Sequence, residues 1–198
     1  ANLGVPNMSY TSDPTWAGHI NLAMVERYQI NHMWFAYNYF PAVTLGDASF
    51  GSANEAKAYL SNNDVAVFKR LIVQTTANSY MLVMSHIQIP AIDNEHLASS
   101  SKPIIDGWLR KELGYKGIVM TDRIDVGALQ SNQKIGDYAV ASILAGSDLI
   151  LVDADTIHID EVHRALTQAV ADETITTERL NESVKRILLM KMQTQIEP

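Results

Sequence analysis

Four short apolar runs punctuate the chain, inside "HMWFAY" (32–37), "YMLVMSH" (80–86), "GIVMT" (117–121) and "DLILV" (148–152), and the segments between them have a helical period. A strand that is apolar throughout has to be covered on both faces, and strands that alternate with helices run parallel. The pattern therefore predicts an α/β fold built on a parallel sheet of about four strands with covering helices. Asp13 and Pro14 read as the cap and first turn of an opening helix with Trp16, Ile20 and Met24 on one face. A loop from Pro41 to about Asn54 follows the first strand, and Asp64 reads as the cap of a helix through Asn78 with Val65, Phe68, Leu71 and Ile72 facing inward. Ser101 reads as the cap of a helix carrying Ile105, Trp108, Leu109 and Leu113, with Gly114 at its left-handed C-terminal position. A helix around residues 134–145 follows, then two amphipathic helices, one through Val162, Leu166 and Val170, the other through Leu180, Val184, Ile187 and Leu188. With no internal repeat and no linker, residues 1–198 read as a single domain.

In parallel α/β sheets, ligands gather at the carboxyl ends of the strands. Each run here ends on polar residues: Asn38, then Ser85 and His86, then Thr121 and Asp122, then Asp153 and Asp155. An Asp in such a place can meet a substrate while its backbone stays in the sheet. Plainer readings stand beside this one. A carboxylate after a strand commonly caps the next helix or sits in a solvated loop, and Asp153 and Asp155 are given that reading. His86 reads equally as a core imidazole satisfied by a backbone carbonyl. The aromatic stretch "HMWFAYNYF" reads as core before it reads as a sugar platform. The spacing of the other histidines does not resemble a zinc site, and there is no glycine-rich phosphate loop or nucleophile elbow.

Composition narrows the partners. The 198 residues are 47% hydrophobic and 19% charged, enough for one sizeable core. A formal net charge of −7 sets the surface against nucleic acid and anionic lipid. No window approaches the roughly 18 unbroken apolar residues of a membrane span. Without cysteine the chain has neither disulfides nor thiolate metal sites, and no metal or cofactor is expected. The compartment, cytoplasmic or secreted, stays open. The start at Ala1 rather than Met leaves room for a removed leader, tag or longer N-terminal region.

Several segments taken in order carry more. "MLVMSHIQIPAID", "IIDGWLRKELGYKGIVMTDRIDVGAL", "AVASILAGSDLILV" and "ITTERLNESVKRILLMK" together resemble the second half of the catalytic barrel of glycoside hydrolase family 3, especially its β-N-acetylhexosaminidase branch. "SYTSDP" near the start resembles a loop after an earlier barrel strand of that family. The resemblance implies a partial (β/α)8 TIM barrel, a saccharide substrate and hydrolysis of O-glycosidic bonds, with β-linked N-acetylhexosaminides foremost. It also implies a role for Asp122, which follows the Thr of the "GIVMT" strand as the nucleophile does in the family. A retaining glycosidase needs a carboxylate held below the anomeric carbon to form a covalent glycosyl-enzyme, and a rigid strand end provides that fixity.

The acid/base loop departs from the family pattern. Where the family has Lys-His-Phe-Pro-Gly followed by Asp-Ser-His, this chain reads "NYFPAVTLGDASFG". Phe40 and Pro41 match, whereas Asn38 and Tyr39 replace Lys and His, and Ala42 replaces Gly. Aligning Asp47 with the family's Asp places Ser49 where the His would stand, and a serine hydroxyl is no general acid near neutral pH. Met8 occupies the place of a sugar-binding Arg. The resemblance thus makes Asp122, Asp47 and Ser49 the catalytic candidates, and His86, Asn38, Tyr39, Arg123 and Met8 the substrate-binding ones. The opposing expectation is a catalytically degenerate member that binds a saccharide or serves as an assembly partner. A full barrel takes roughly 250 residues, so the half present here is expected to pair with a complementary N-terminal half-barrel chain or to form a homodimer.

Overall fold

A computed structural model describes residue 11, residues 13–76 and residues 79–193, with Gln193 described by its backbone alone. Met8 and Asn78 lie outside the described residues. Four parallel strands, β1 (Ala36–Phe40), β2 (Met81–Met84), β3 (Val119–Arg123) and β4 (Leu149–Leu151), form one sheet in the order β1-β2-β3-β4. Sequential neighbours joined by helical crossovers are the repeating unit of a β/α barrel. Leu82 and Met84 stand opposite Val119 and Thr121, and the β3–β4 register shifts between Met120 and Arg123. β1 begins four residues later than the apolar run suggested and ends irregularly, its register with β2 shifting between Asn38 and Phe40.

The covering helices are α1 (Pro14–Ile30), α2 (Ala53–Asn62), α3 (Asp64–Gln74), a π-helix over Pro103–Glu112, α4 (Ile124–Gln130), α5 (Ile135–Ala145), α6 (Thr156–Ala171) and α7 (Thr177–Gln193). Asp13 caps α1 by accepting the Thr15 and Trp16 N–H groups. The expected inward face of α1 is displaced: Trp16 is 65% exposed, and Ala17, Gly18, Asn21 and Val25 are buried instead. Small residues there let α1 sit close to α3, with Arg70 of α3 against the Gly18 backbone and bonded to the Thr15 carbonyl. α3 buries Val65, Phe68 and Leu71, stops at Gln74 and takes its cap position at Asn63, so Asp64 is its first residue. Ser101 accepts the Ile104 N–H and donates to Asp93, which fixes the start of the π-helix. Gly114 follows that helix with φ +79°, the left-handed conformation expected of it. Phe40, the last residue of β1, meets Phe68 edge to face and Trp108 at a tilt.

A polar hub ties the amino ends of β3 and β4 to the helices. The buried Asp148 carboxylate accepts bonds from Arg110 (2.7 Å), Arg186 (2.9 Å), Ser183 (2.7 Å) and the Val119 N–H (3.0 Å). A third guanidinium, Arg179, stands 3.8 Å away and bonds to the Ile143 and Ser147 carbonyls. α7 is anchored through this polar face and Met190; of the stripe expected to face inward, Ile187 is half-buried, while Leu180, Val184 and Leu188 stay 40–52% exposed.

Candidate active site

The carboxyl end of β3 is fixed from both neighbouring strands. Thr121 is fully buried, and its hydroxyl oxygen accepts the Leu151 N–H of β4 at 3.1 Å. On the other side, His86, which follows β2, reaches the Arg123 carbonyl from Nε2 at 2.8 Å. Asp122 stands between these two anchors, half-buried, with α4 starting at Ile124. No loop separates strand from helix, so the backbone that carries Asp122 has little room to move.

Tyr39 comes to the same place from β1 and hydrogen-bonds to Asp122. Burial, then the neighbouring Asp122 charge and this bond, push the Tyr39 phenol above its ordinary value, which keeps it protonated and donating to the carboxylate. Asn38, one residue earlier, is exposed on β1.

His86 is 8% exposed and has both ring nitrogens engaged, Nδ1 with the Ser99 hydroxyl at 2.6 Å and Nε2 with the Arg123 carbonyl. It has no ring nitrogen left for a sugar, so the expected substrate contact gives way to the plainer reading of a satisfied core imidazole. Burial lowers its pKa first, with the Arg123 carbonyl and the Asp122 and Asp125 charges opposing. A neutral ring whose Nε2 faces a carbonyl must donate there and accept at Nδ1. Ser99 therefore donates to His86 and accepts from the Tyr138 hydroxyl at 2.7 Å.

Arg123 is taken up by carboxylates other than Asp122. Its guanidinium forms a two-pronged pair with Asp125, at 3.1 and 2.6 Å, and lies 3.8 Å from Asp153. That pairing holds the Asp125 carboxyl below the usual range. Asp155 caps α6 through the Ile157 N–H, and Asp153 accepts from His158 at 2.9 Å. Asp47 and Ser49 are exposed on the loop between β1 and α2. Glu55, downstream of that loop, accepts the Gly51 N–H while its own N–H bonds to the cap residue Ser52.

The structure thus brings Asp122 and Tyr39 together and engages His86 and Arg123 elsewhere. Ser99 and Tyr138, which orient His86, were not anticipated: they lie 13 and 52 residues from it in sequence, and neither carries a motif. One local sign was available in Gly127, where a Cβ would come 2.4 Å from Tyr138 and 2.7 Å from His86.

The model of the glycosyl hydrolase family 3 N-terminal domain matches residues 2–190. The chain belongs to that family. It is 25% identical over 206 residues to the β-hexosaminidase A of Pseudoalteromonas piscicida, covering 92% of this chain and 34% of that one. It is 26% identical to a β-hexosaminidase of Xanthomonas campestris pv. campestris, covering 90% of this chain and 53% of the other. Among solved structures, the family 3 β-N-acetylglucosaminidase from Paenibacillus sp. str. FPU-7 superposes with a TM-score of 0.84 at 27% identity, over 98% of this chain and 38% of that one. CbsA from Thermotoga neapolitana, at 22% identity and a TM-score of 0.80, shares the fold over the whole of this chain and 43% of its own. The chain spans about a third to a half of the length of these relatives.

Proposed function

We propose that this chain is the nucleophile-bearing half of a retaining glycosidase that acts on β-linked N-acetylhexosaminides or related β-glycosides. One observation carries the reading: in a family 3 chain, Asp122 stands at a doubly anchored strand end with the Tyr39 hydroxyl on its carboxylate. An Asp122 oxygen attacks the anomeric carbon as the bond from that carbon to the leaving oxygen breaks, and the leaving oxygen takes up a proton. Water then attacks the same carbon, loses a proton and frees Asp122. Tyr39 keeps one carboxylate oxygen oriented while the other reacts. Ser49 cannot supply the proton, so leaving groups that need none fare best.

The two outer strands of the described sheet, β1 and β4, and the exposed apolar residues of α7 call for a second half. We assign that role to a complementary half-barrel, from another stretch of protein or from a second copy, with residues 1–198 folding as one unit. A saccharide-binding or assembly role without turnover is the second reading, and it is favoured by the exposed Asp47 and Ser49 where a His and Asp acid/base pair is wanted.

The test is to incubate the protein with a ring-fluorinated N-acetylglucosaminyl fluoride, which forms the covalent intermediate faster than it is hydrolysed. Mass spectrometry should find the sugar on Asp122, with labelling lost in Asp122→Ala and kept in Asp125→Ala. Label on another carboxylate would refute the assignment of the nucleophile. Sugar binding with neither label nor turnover would select the second reading.

A further inference from the structure

The Tyr138–Ser99–His86 chain ends on the carbonyl of the residue after the proposed nucleophile. Every link is buried: Tyr138 and Ser99 are 0% exposed and His86 is 8% exposed. Its direction is set from the Arg123 end, because a carbonyl can only accept: Nε2–H donates to Arg123, Ser99 donates to Nδ1, and Tyr138 donates to Ser99. The ring is also held sideways. His86 meets Tyr138 edge to face at 6.0 Å, and the Gly127 backbone approaches both rings closely enough to exclude any Cβ. Such packing is more than is needed to satisfy one carbonyl, which water can do at a strand end.

We infer that His86, oriented by Ser99 and Tyr138, is a positioning residue for Asp122, fixing the Arg123 carbonyl so that the carboxylate one residue earlier meets the anomeric carbon at the right distance. This rests on the glycosidase reading above. The Arg123 carbonyl lies one peptide beyond Asp122's own carbonyl, at the turn from β3 into α4, and rotation of the backbone there would swing the Asp122 carboxylate across the sheet end. The ladder pairs Arg123 with Leu151 of β4, and the Thr121 hydroxyl holds that same side, so His86 supplies the side-chain restraint from the β2 side.

The experiment measures the rate of covalent labelling by the same fluorinated fluoride, together with kcat and KM on an aryl N-acetylglucosaminide, in the full protein. His86→Leu should label about 10²-fold more slowly, the penalty of a displacement near 1 Å, with KM within about twofold. His86→Gln, whose amide can still donate to the carbonyl, should recover most of that loss. Tyr138→Phe keeps the ring and removes the hydroxyl, so it guards against a misfolded His86→Leu; it should slow labelling severalfold while the melting temperature falls by no more than about 6 °C, the cost of one buried hydrogen bond. Equal labelling rates in the wild type and in folded His86→Leu or Tyr138→Phe would overturn the inference alone. A wild type that does not label at all would overturn the glycosidase reading and this inference with it.

Discussion

Replacing Asp148 by Asn changes one atom and should cost about 3–5 kcal/mol of stability. Oδ1 accepts from Ser183 and Arg186, and Oδ2 accepts from Arg110 and the Val119 N–H. Whichever way the amide turns, its NH2 faces two donors that have lost their acceptor. Losing a charge-assisted bond costs about 1.5–3 kcal/mol, and an unmet buried donor costs about 1–3 kcal/mol. The sum agrees with the roughly 3–5 kcal/mol for breaking a buried ion pair from one side. Three guanidinium groups left without a shared counter-charge also repel one another. A loss near 4 kcal/mol lowers the melting temperature of a domain this size by roughly 8–16 °C. The assay is urea and thermal denaturation followed by circular dichroism, with Asp106→Asn as the control. Asp106 pairs with the exposed Lys111, and such a surface pair contributes at most about 1 kcal/mol. Equal, small losses in the two variants would refute the claim that Asp148 organises this end of the sheet.

Four other outcomes are expected. In an NMR titration, His86 should titrate below 6.5 because of burial, and His158 above 6.5 because of its bond to Asp153, with Asp153→Asn returning His158 towards the ordinary value. Because the folded His86 pKa is depressed, its contribution to stability is complete above the unfolded value of 6.5 and is lost as pH falls through the folded pKa; His86→Gln should flatten that part of the stability–pH curve. Gly127→Ala should lose about 1–3 kcal/mol in denaturation experiments, because the new methyl meets the Tyr138 and His86 rings. Aryl glycosides with acidic leaving groups should turn over far faster than alkyl ones, and Ser49→His should narrow that gap if the loop brings the imidazole within about 5–5.5 Å of Asp122.

The parallel sense of the strands was legible because the runs are apolar and alternate with helices, their order only through the resemblance to a barrel, and Asp122 was legible because the run breaks on it. Ser101 and Gly114 were legible as local punctuation. Period alone misled at both ends of the chain. Trp16 and Leu188 fall on helical stripes, yet α1 packs through Gly18 and Ala17, and α7 packs through Ser183 and Arg186 onto Asp148. α2 and α4 escaped notice because one lies in a loop-like, Ser- and Asn-rich stretch and the other fills only seven residues directly after β3. The site was half visible. The nucleophile candidate sits within a motif, and Tyr39 and His86 were candidates through the resemblance, though as sugar contacts; Ser99 and Tyr138 come from other parts of the chain, and hydrogen bonds between distant elements leave no periodic trace.

The Asp148 hub and Asp122 occupy opposite ends of the same pair of strands. Architecture and chemistry are therefore encoded in residues that can change separately. The loop that carries Asp47 and Ser49 is rooted at the carboxyl end of β1, away from the charges that hold α7 and the π-helix to the sheet. Ala42 is in the core and Leu45 and Phe50 pack against it, so for protein engineering the exchangeable part is the loop tip, residues 46–49, where a segment bearing an acid/base pair can be transplanted and screened without redesigning the scaffold beneath it.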